Sequence, residues 1–129
     1  MAINKVHAEF SAVDLGPQGW TLPAGYPKDA LAWEKVLSGS LDEVGKKGSR
    51  TRLLRFGPGF RTTAPFVHDY WEEVFLISGD MTVGADEGGK QGQRFEGYTY
   101  AVRPAGVYHG PFASEGGALL LEFHYYDPA

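Results

Sequence analysis

The stretch Gly59-Phe-Arg-Thr-Thr-Ala-Pro-Phe-Val-His68-Asp-Tyr-Trp-Glu72-Glu-Val-Phe-Leu-Ile-Ser-Gly79 sets a histidine and a carboxylate four residues apart beside an apolar strand. Gly57-Pro58-Gly59 and Pro65 limit helix and mark strand ends or tight turns. Val74, Phe75, Leu76 and Ile77 form a short β-prone run that Ser78-Gly79-Asp80 terminates. His68 and Glu72 are therefore expected just before a strand or on its first residues. Imidazole and carboxylate are ligands suited to zinc, iron, manganese or nickel.

A second stretch, Gly97-Tyr-Thr-Tyr-Ala-Val-Arg-Pro104-Ala-Gly106-Val-Tyr-His109, reads as a strand over Tyr98 to Val102, a Pro104-Ala-Gly106 corner and then a histidine. Together the two stretches resemble the cupin family. That family's first motif is a glycine, five residues, His-x-His, three or four residues, Glu, six residues and Gly. His68 falls on its second histidine, Glu72 on the acid and Gly79 on the last glycine. The second motif, Gly, five residues, Pro-x-Gly, two residues, His, three residues and Asn, is matched at Gly97, Pro104, Gly106 and His109. The chain departs from the pattern in four places. Phe66 stands where the first metal histidine is expected, Ala113 replaces the final Asn, and six residues rather than five follow both Gly59 and Gly97.

The resemblance implies an all-β fold, the double-stranded jelly-roll barrel of the cupins, with both motifs facing one pocket. It implies a divalent metal ion held by His68, Glu72 and His109, two imidazoles and one carboxylate. That set is the facial triad favoured by non-haem iron(II), so iron is the expected ion, with zinc, nickel and manganese as alternatives. The small single-domain cupins it resembles include the ChrR type and the acetylacetone- and dihydroxyacetophenone-dioxygenases, which cleave carbon–carbon bonds next to a carbonyl. The expected function is thus a metal-dependent enzyme, an oxidoreductase acting on a small carbonyl or diketone substrate, with Phe66 shaping the pocket and Arg61 and Tyr70 orienting the substrate. The alternatives are a zinc-binding sensing module without catalysis, a cupin lyase or isomerase, and metal-free acid–base chemistry by His68 with a carboxylate. Small cupins commonly pair, so a homodimer is also implied.

Each of the three proposed ligands taken alone reads as a polar group at a strand end; joint agreement with two motif spacings favours a shared pocket. Glu73 competes with Glu72. Successive strand residues face opposite ways, and the six residues before Gly79 select Glu72.

At 129 residues the chain is expected to form one domain, with residues 1–48 as a wrapping segment plus first strands and 49–126 as the motif-bearing barrel. Hydrophobic residues at 43% and aromatics at 14% exclude a disordered chain. No apolar run approaches the ~18 residues of a membrane helix. Met-Ala-Ile-Asn-Lys lacks the features of a secretory signal, so a cytoplasmic location and no membrane partner are expected. The net charge of −4 is interspersed, with no basic stripe beyond Lys46, Lys47, Arg50 and Arg52, which argues against nucleic acid.

Along the chain, residues 5–10 alternate as an edge strand carrying His7, read as a surface group. Residues 15–28, rich in Pro and Gly, are too irregular for a regular element and wrap over a sheet or a partner. Ala30 to Leu37 suits one or two helical turns or a strand from Ala32, and the resemblance favours the strand. Ser38 to Gly48 reads as loop. Arg50 to Phe56 reads as a strand with Arg52, Leu54 and Phe56 on one face; an arginine on such a strand that pointed into a barrel would suit a carboxylate or enolate. Gly84 to Gly92 reads as a surface loop. In the last strand, Ala118 to Tyr126, Glu122 and His124 share a face opposite Leu119, Leu121, Phe123 and Tyr125. If that face lines the barrel they replace the ligand lost at Phe66. The favoured reading pairs them with each other, or with Arg52 or Arg55, at a subunit surface.

Overall fold

A computed structural model describes residues 3–84 and 92–127, so most of the Gly84–Gly92 loop lies outside the described residues. Eight strands follow in order: β1 (Ala32–Asp42), β2 (Lys47–Phe56), β3 (Phe60–Arg61), β4 (Trp71–Val83), β5 (Gln93–Glu96), β6 (Thr99–Arg103), β7 (Phe112–Ser114) and β8 (Ala118–Tyr125). Among the described residues there is no helix, and none is long and apolar enough to cross a membrane. Every pairing is antiparallel, in the order β1-β2-β8-β4-β7-β3, with β5 and β6 also on β4. The fold is an all-β jelly roll.

The long strand β4 belongs to both sheets. Its first half, Trp71 to Leu76, lies between β8 and β6; its last residues, Asp80 to Val83, pair with β5 and β7. The register against β8 slips between Leu76 and Ser78, and Gly79 follows with φ +89°. A Cβ there would sit 2.0 Å from the Gly117 carbonyl oxygen. Only glycine lets the two backbones approach this closely where the strand turns from one sheet to the other.

Alternation then orders the barrel interior in rungs. His124 on β8 lies opposite Arg50 on β2 and Glu72 on β4, and Glu72 lies opposite Arg103 on β6. On the next rung Glu122 lies between Arg52 and Val74; on the one after, Leu120 lies between Leu54 and Leu76. Ionisable groups therefore occupy one end of the barrel. Beyond them a core that includes Leu54, Phe56, Phe60, Leu76, Met81 and Leu120 fills the other.

Three sequence expectations are corrected. Residues 5–10 form no strand: the alternation there is not used for burial, and Val6 and Phe10 are exposed. Ser38 to Gly48 is not a loop, because β1 runs on to Asp42 and meets β2 across a turn at 43–46 in which Asp42 Oδ1 accepts from the Gly45 N–H. The slip in register between Val36 and Ser38 interrupts the apolar pattern and hides this half of the strand. Glu122 and His124 are not at a surface; they face the barrel interior and are 4% and 0% exposed.

Residues 15–28 do wrap over the chain's own sheet. Thr21 and Glu34 exchange backbone hydrogen bonds of 2.7 and 3.0 Å, and Trp20 lies under the Arg55 guanidinium at 4.3 Å. Tyr26 packs on Phe56, Phe60 and Phe66. Ala32 to Leu37 is strand rather than helix.

Candidate metal centre

The two motif histidines arrive from different directions. His68 lies in the segment entering β4, four residues before Glu72 on that strand, while His109 is placed by a backbone bridge to Phe66, with N–H···O bonds of 2.7 and 2.9 Å. The turn at Pro104 to Val107 is tied to the first segment by the Gly106 N–H, which donates to the His68 carbonyl at 2.8 Å. The His68 and His109 rings meet edge-on, with centroids 4.7 Å apart. His68 Nε2 is 3.6 Å from Glu72 Oε1, and His109 Nε2 is 3.7 Å from Glu72 Oε2. The ligand atoms of these three side chains lie within 4.8 Å of one another.

The donor set fits a metal ion. His68 Nε2 is buried and has no hydrogen-bond partner among the described residues, since the 3.6 Å to Glu72 is too long for one. A buried ring nitrogen left unpaired costs free energy that coordination would recover. Tyr70 stacks flat on the His68 ring, 4.3 Å between centroids and 3° between planes, which holds the imidazole in place. Glu72 is oriented by Arg103, whose Nη1 donates to Oε2 at 2.8 Å, and by His124 Nε2, 3.2 Å from Oε1. Such partners behind the ligands fix their direction.

Behind Glu72 lies a buried ionic network. Arg50 donates to His124 Nδ1 from Nη2 at 2.7 Å and from Nε at 3.1 Å, so that nitrogen is the acceptor and Nε2 carries the hydrogen. This hydrogen is shared between Glu72 Oε1 at 3.2 Å and Glu122 Oε1 at 3.1 Å. Arg52 in turn bonds Glu122 at 2.9 Å through Nε and Glu34 at 2.5 Å through Nη1. Glu72, Glu122 and His124 also form a second cluster of possible metal ligands. Their lone pairs are taken up by Arg50, Arg52 and Arg103, so the first cluster is the one with an unpaired donor.

These contacts set the protonation states. Burial pushes the Glu72 carboxyl up, but the His124 and His68 imidazoles and the Arg103 guanidinium outweigh it and hold the group well below the usual carboxylate range. Burial and the Glu72 charge raise Glu122, and Arg52 and His124 more than offset them. Burial lowers the His109 imidazole, helped by Arg103 and opposed by Glu72. Neutral imidazole and ionised carboxylate are the forms that bind metal.

Of the groups singled out in the sequence, His68, Glu72, His109 and Tyr70 line one cavity of about 410 Å³, and Phe66 forms part of its wall. Glu73 points outward, where the Tyr100 and Tyr125 hydroxyls bond it. Arg61 is exposed on β3 and is not among the residues lining the cavity. The guanidiniums at the cavity are instead Arg50, Arg52 and Arg103. Arg103 was legible only as a spacer inside the second motif. Glu122 and His124 carried a signal, strict alternation, but the apolar residues on the opposite face of β8 were the better candidates for burial.

No family model matches the chain, and no curated protein matches it. Solved structures do. An acetylacetone dioxygenase from Acinetobacter johnsonii is 20% identical, with a TM-score of 0.61 over 95% of this chain and 78% of that one. KdgF from a Halomonas species is 16% identical, with a TM-score of 0.59 over 84% and 88% of the two chains. A sugar phosphate isomerase of the cupin superfamily from Silicibacter pomeroyi is 18% identical, with a TM-score of 0.59 over 92% and 77%. At such identities the likeness concerns the fold, and the bearers of that fold have different activities. The fold of this chain is that of the small cupins.

Proposed function

We propose that the chain is a metal-dependent enzyme in which His68, Glu72 and His109 hold a divalent ion, iron first, and a small carbonyl or diketone compound is the substrate. The observation that carries this reading is the unpaired, buried His68 Nε2 aimed at Glu72 and His109. An ion held by these three residues would supply Lewis-acid polarisation of a carbonyl or enolate oxygen and, were it iron, activation of molecular oxygen. The protein's own part is positional. Arg103 and His124 keep Glu72 ionised and aimed, Tyr70 fixes the His68 ring, and Phe66, stacked towards His109 at 6.3 Å, closes the place of a third imidazole with an apolar wall. Leu54, Leu76, Met81 and Leu120 carry that wall inward and keep water from the substrate's carbon skeleton. Oxygen uptake on incubation of the iron-loaded protein with β-diketones tests the reading; iron binding without uptake would refute it.

A second reading has an observation of its own. Glu72, kept ionised by Arg103 and His124, lies 3.6 Å from His68 Nε2, where it can orient that imidazole as the proton-transfer group of a metal-free acid–base reaction. Turnover that survives complete chelation would favour it.

The homodimer is retained as a proposal in which the outer face of β4, β6 and β8 meets a second copy. Tyr98, Tyr100, Val102 and Phe123 are exposed on it. They adjoin Trp71 and Tyr125, stacked at 6.4 Å, so that aromatic and apolar side chains surround Glu73 on this face. Light scattering should give twice the chain mass, falling to one on Phe123→Glu; a monomer without substitution would refute the proposal.

A further inference from the structure

The cavity has two chemically distinct parts. Leu54, Val74, Leu76, Met81, Phe112 and Leu120 provide apolar lining, and Arg50, Arg52 and Arg103 supply guanidiniums at the charged end. The three arginines differ in what already neutralises them. Arg52 lies between Glu34 and Glu122, and Arg103 is paired with Glu72 at 2.8 Å. Arg50 makes no ion pair among the described residues; its bonds go to the imidazole nitrogen His124 Nδ1. Glu43 lines the same cavity but is not paired with it. Because Nε and Nη2 point to His124, Arg50 Nη1 has both hydrogens uncommitted among the described residues and belongs to a side chain that is only half-buried. A planar guanidinium with free N–H groups beside an apolar cavity is the arrangement that recognises a carboxylate or enolate on a hydrocarbon body.

Charge accounting points the same way. Arg50, Arg52 and Arg103 stand against Glu34, Glu43, Glu72 and Glu122 around the cavity, so a divalent ion on neutral His68 and His109 would leave one positive charge in excess. A ligand bearing one negative charge offsets it.

We propose that Arg50 is a specificity-determining anchor for the anionic oxygen of the cavity's ligand, whose class is a carboxylate or enolate carried on an apolar chain or ring. The charge accounting rests on the metal reading above; the unpaired guanidinium does not. Octanoate and 1-octanol, matched in chain length and differing in charge, serve as probes in titration calorimetry with the full chain, its metal content measured on the same sample. Octanoate is expected to bind at least about tenfold more tightly than octanol. Arg50→Gln should remove that ratio while leaving octanol affinity within about twofold, and Arg50→Lys should keep part of it, since the charge stays and the fork is lost. Failure of octanoate to bind at millimolar concentration, a ratio near one in the unsubstituted protein, or an unchanged ratio in Arg50→Gln would overturn the assignment. Discrimination in a sample without metal would support Arg50 and count against the metal reading alone; metal without discrimination would do the reverse.

Discussion

Replacing Arg52 by Met should be among the most destabilising single changes in the barrel. Its side chain is 8% exposed and bonds Glu122 at 2.9 and 2.8 Å and Glu34 at 2.5 Å. Met fills similar volume but leaves two carboxylates in the barrel without a counter-charge, and Glu122 is 4% exposed. Removing one partner of a buried pair costs about 3–5 kcal/mol, because the remaining charge keeps its desolvation penalty. Against a total stability of about 5–15 kcal/mol this is about a fifth or more. With an unfolding entropy of ~2.1 cal/mol/K per residue, 1 kcal/mol shifts the Tm of a chain of this size by ~4 °C, so a fall of about 11–18 °C is expected. The diagnostic comparison is Arg52→Met/Glu122→Leu, which removes the more buried of the two stranded carboxylates and should recover at least half of the loss. Urea unfolding at neutral pH measures both. A cost below ~1 kcal/mol for the single variant, the value of an exposed ion pair, would refute the buried network.

Acid should weaken the fold in a definite order. Glu72 and Glu122 have folded-state values below the ordinary 4.5, so their stabilisation is complete above that pH and is lost as pH falls through the depressed values. His109, lowered from 6.5, has the same sign: below that pH the unfolded chain takes up a proton that the folded one resists. Stability measured from pH 7 down to 3 should therefore fall monotonically, and less steeply in Glu72→Gln; a rise below pH 6 would contradict these signs. Gly79→Ala should cost well over the ~1–2 kcal/mol of a positive φ, because its Cβ meets the Gly117 carbonyl at 2.0 Å. Gly59→Ala, at φ +86° with open space around it, should cost only the conformational term, and equal losses in the two variants would show that the close approach at Gly79 is not a constraint.

The sequence carried the motif strands well because their signals are local. Gly79, Pro104 and Gly106 punctuate short apolar runs, and two motif spacings jointly bring His68 to His109. Alternation also separated Glu72 from Glu73. What it missed depends on which face of a strand the fold buries. On β8, Leu119, Leu121, Phe123 and Tyr125 are the more apolar set, yet Glu122 and His124 face inward, because three arginines on β2 and β6 meet them and Glu72 there. No hydropathy pattern contains that pairing, since its members are up to 74 positions apart. Arg61 is near His68 in sequence, but β3 turns it outward. The exposed segment 5–10 shows the converse, alternation without a partner strand.

The most direct test is the metal content of protein purified from iron-replete cells without added chelator, compared with that of His68→Ala and His109→Ala. The account predicts close to one divalent ion per chain in the unsubstituted protein and loss of most of it in each variant, with the fold kept. No ion above background, or full occupancy in either variant, would contradict a site built on those imidazoles.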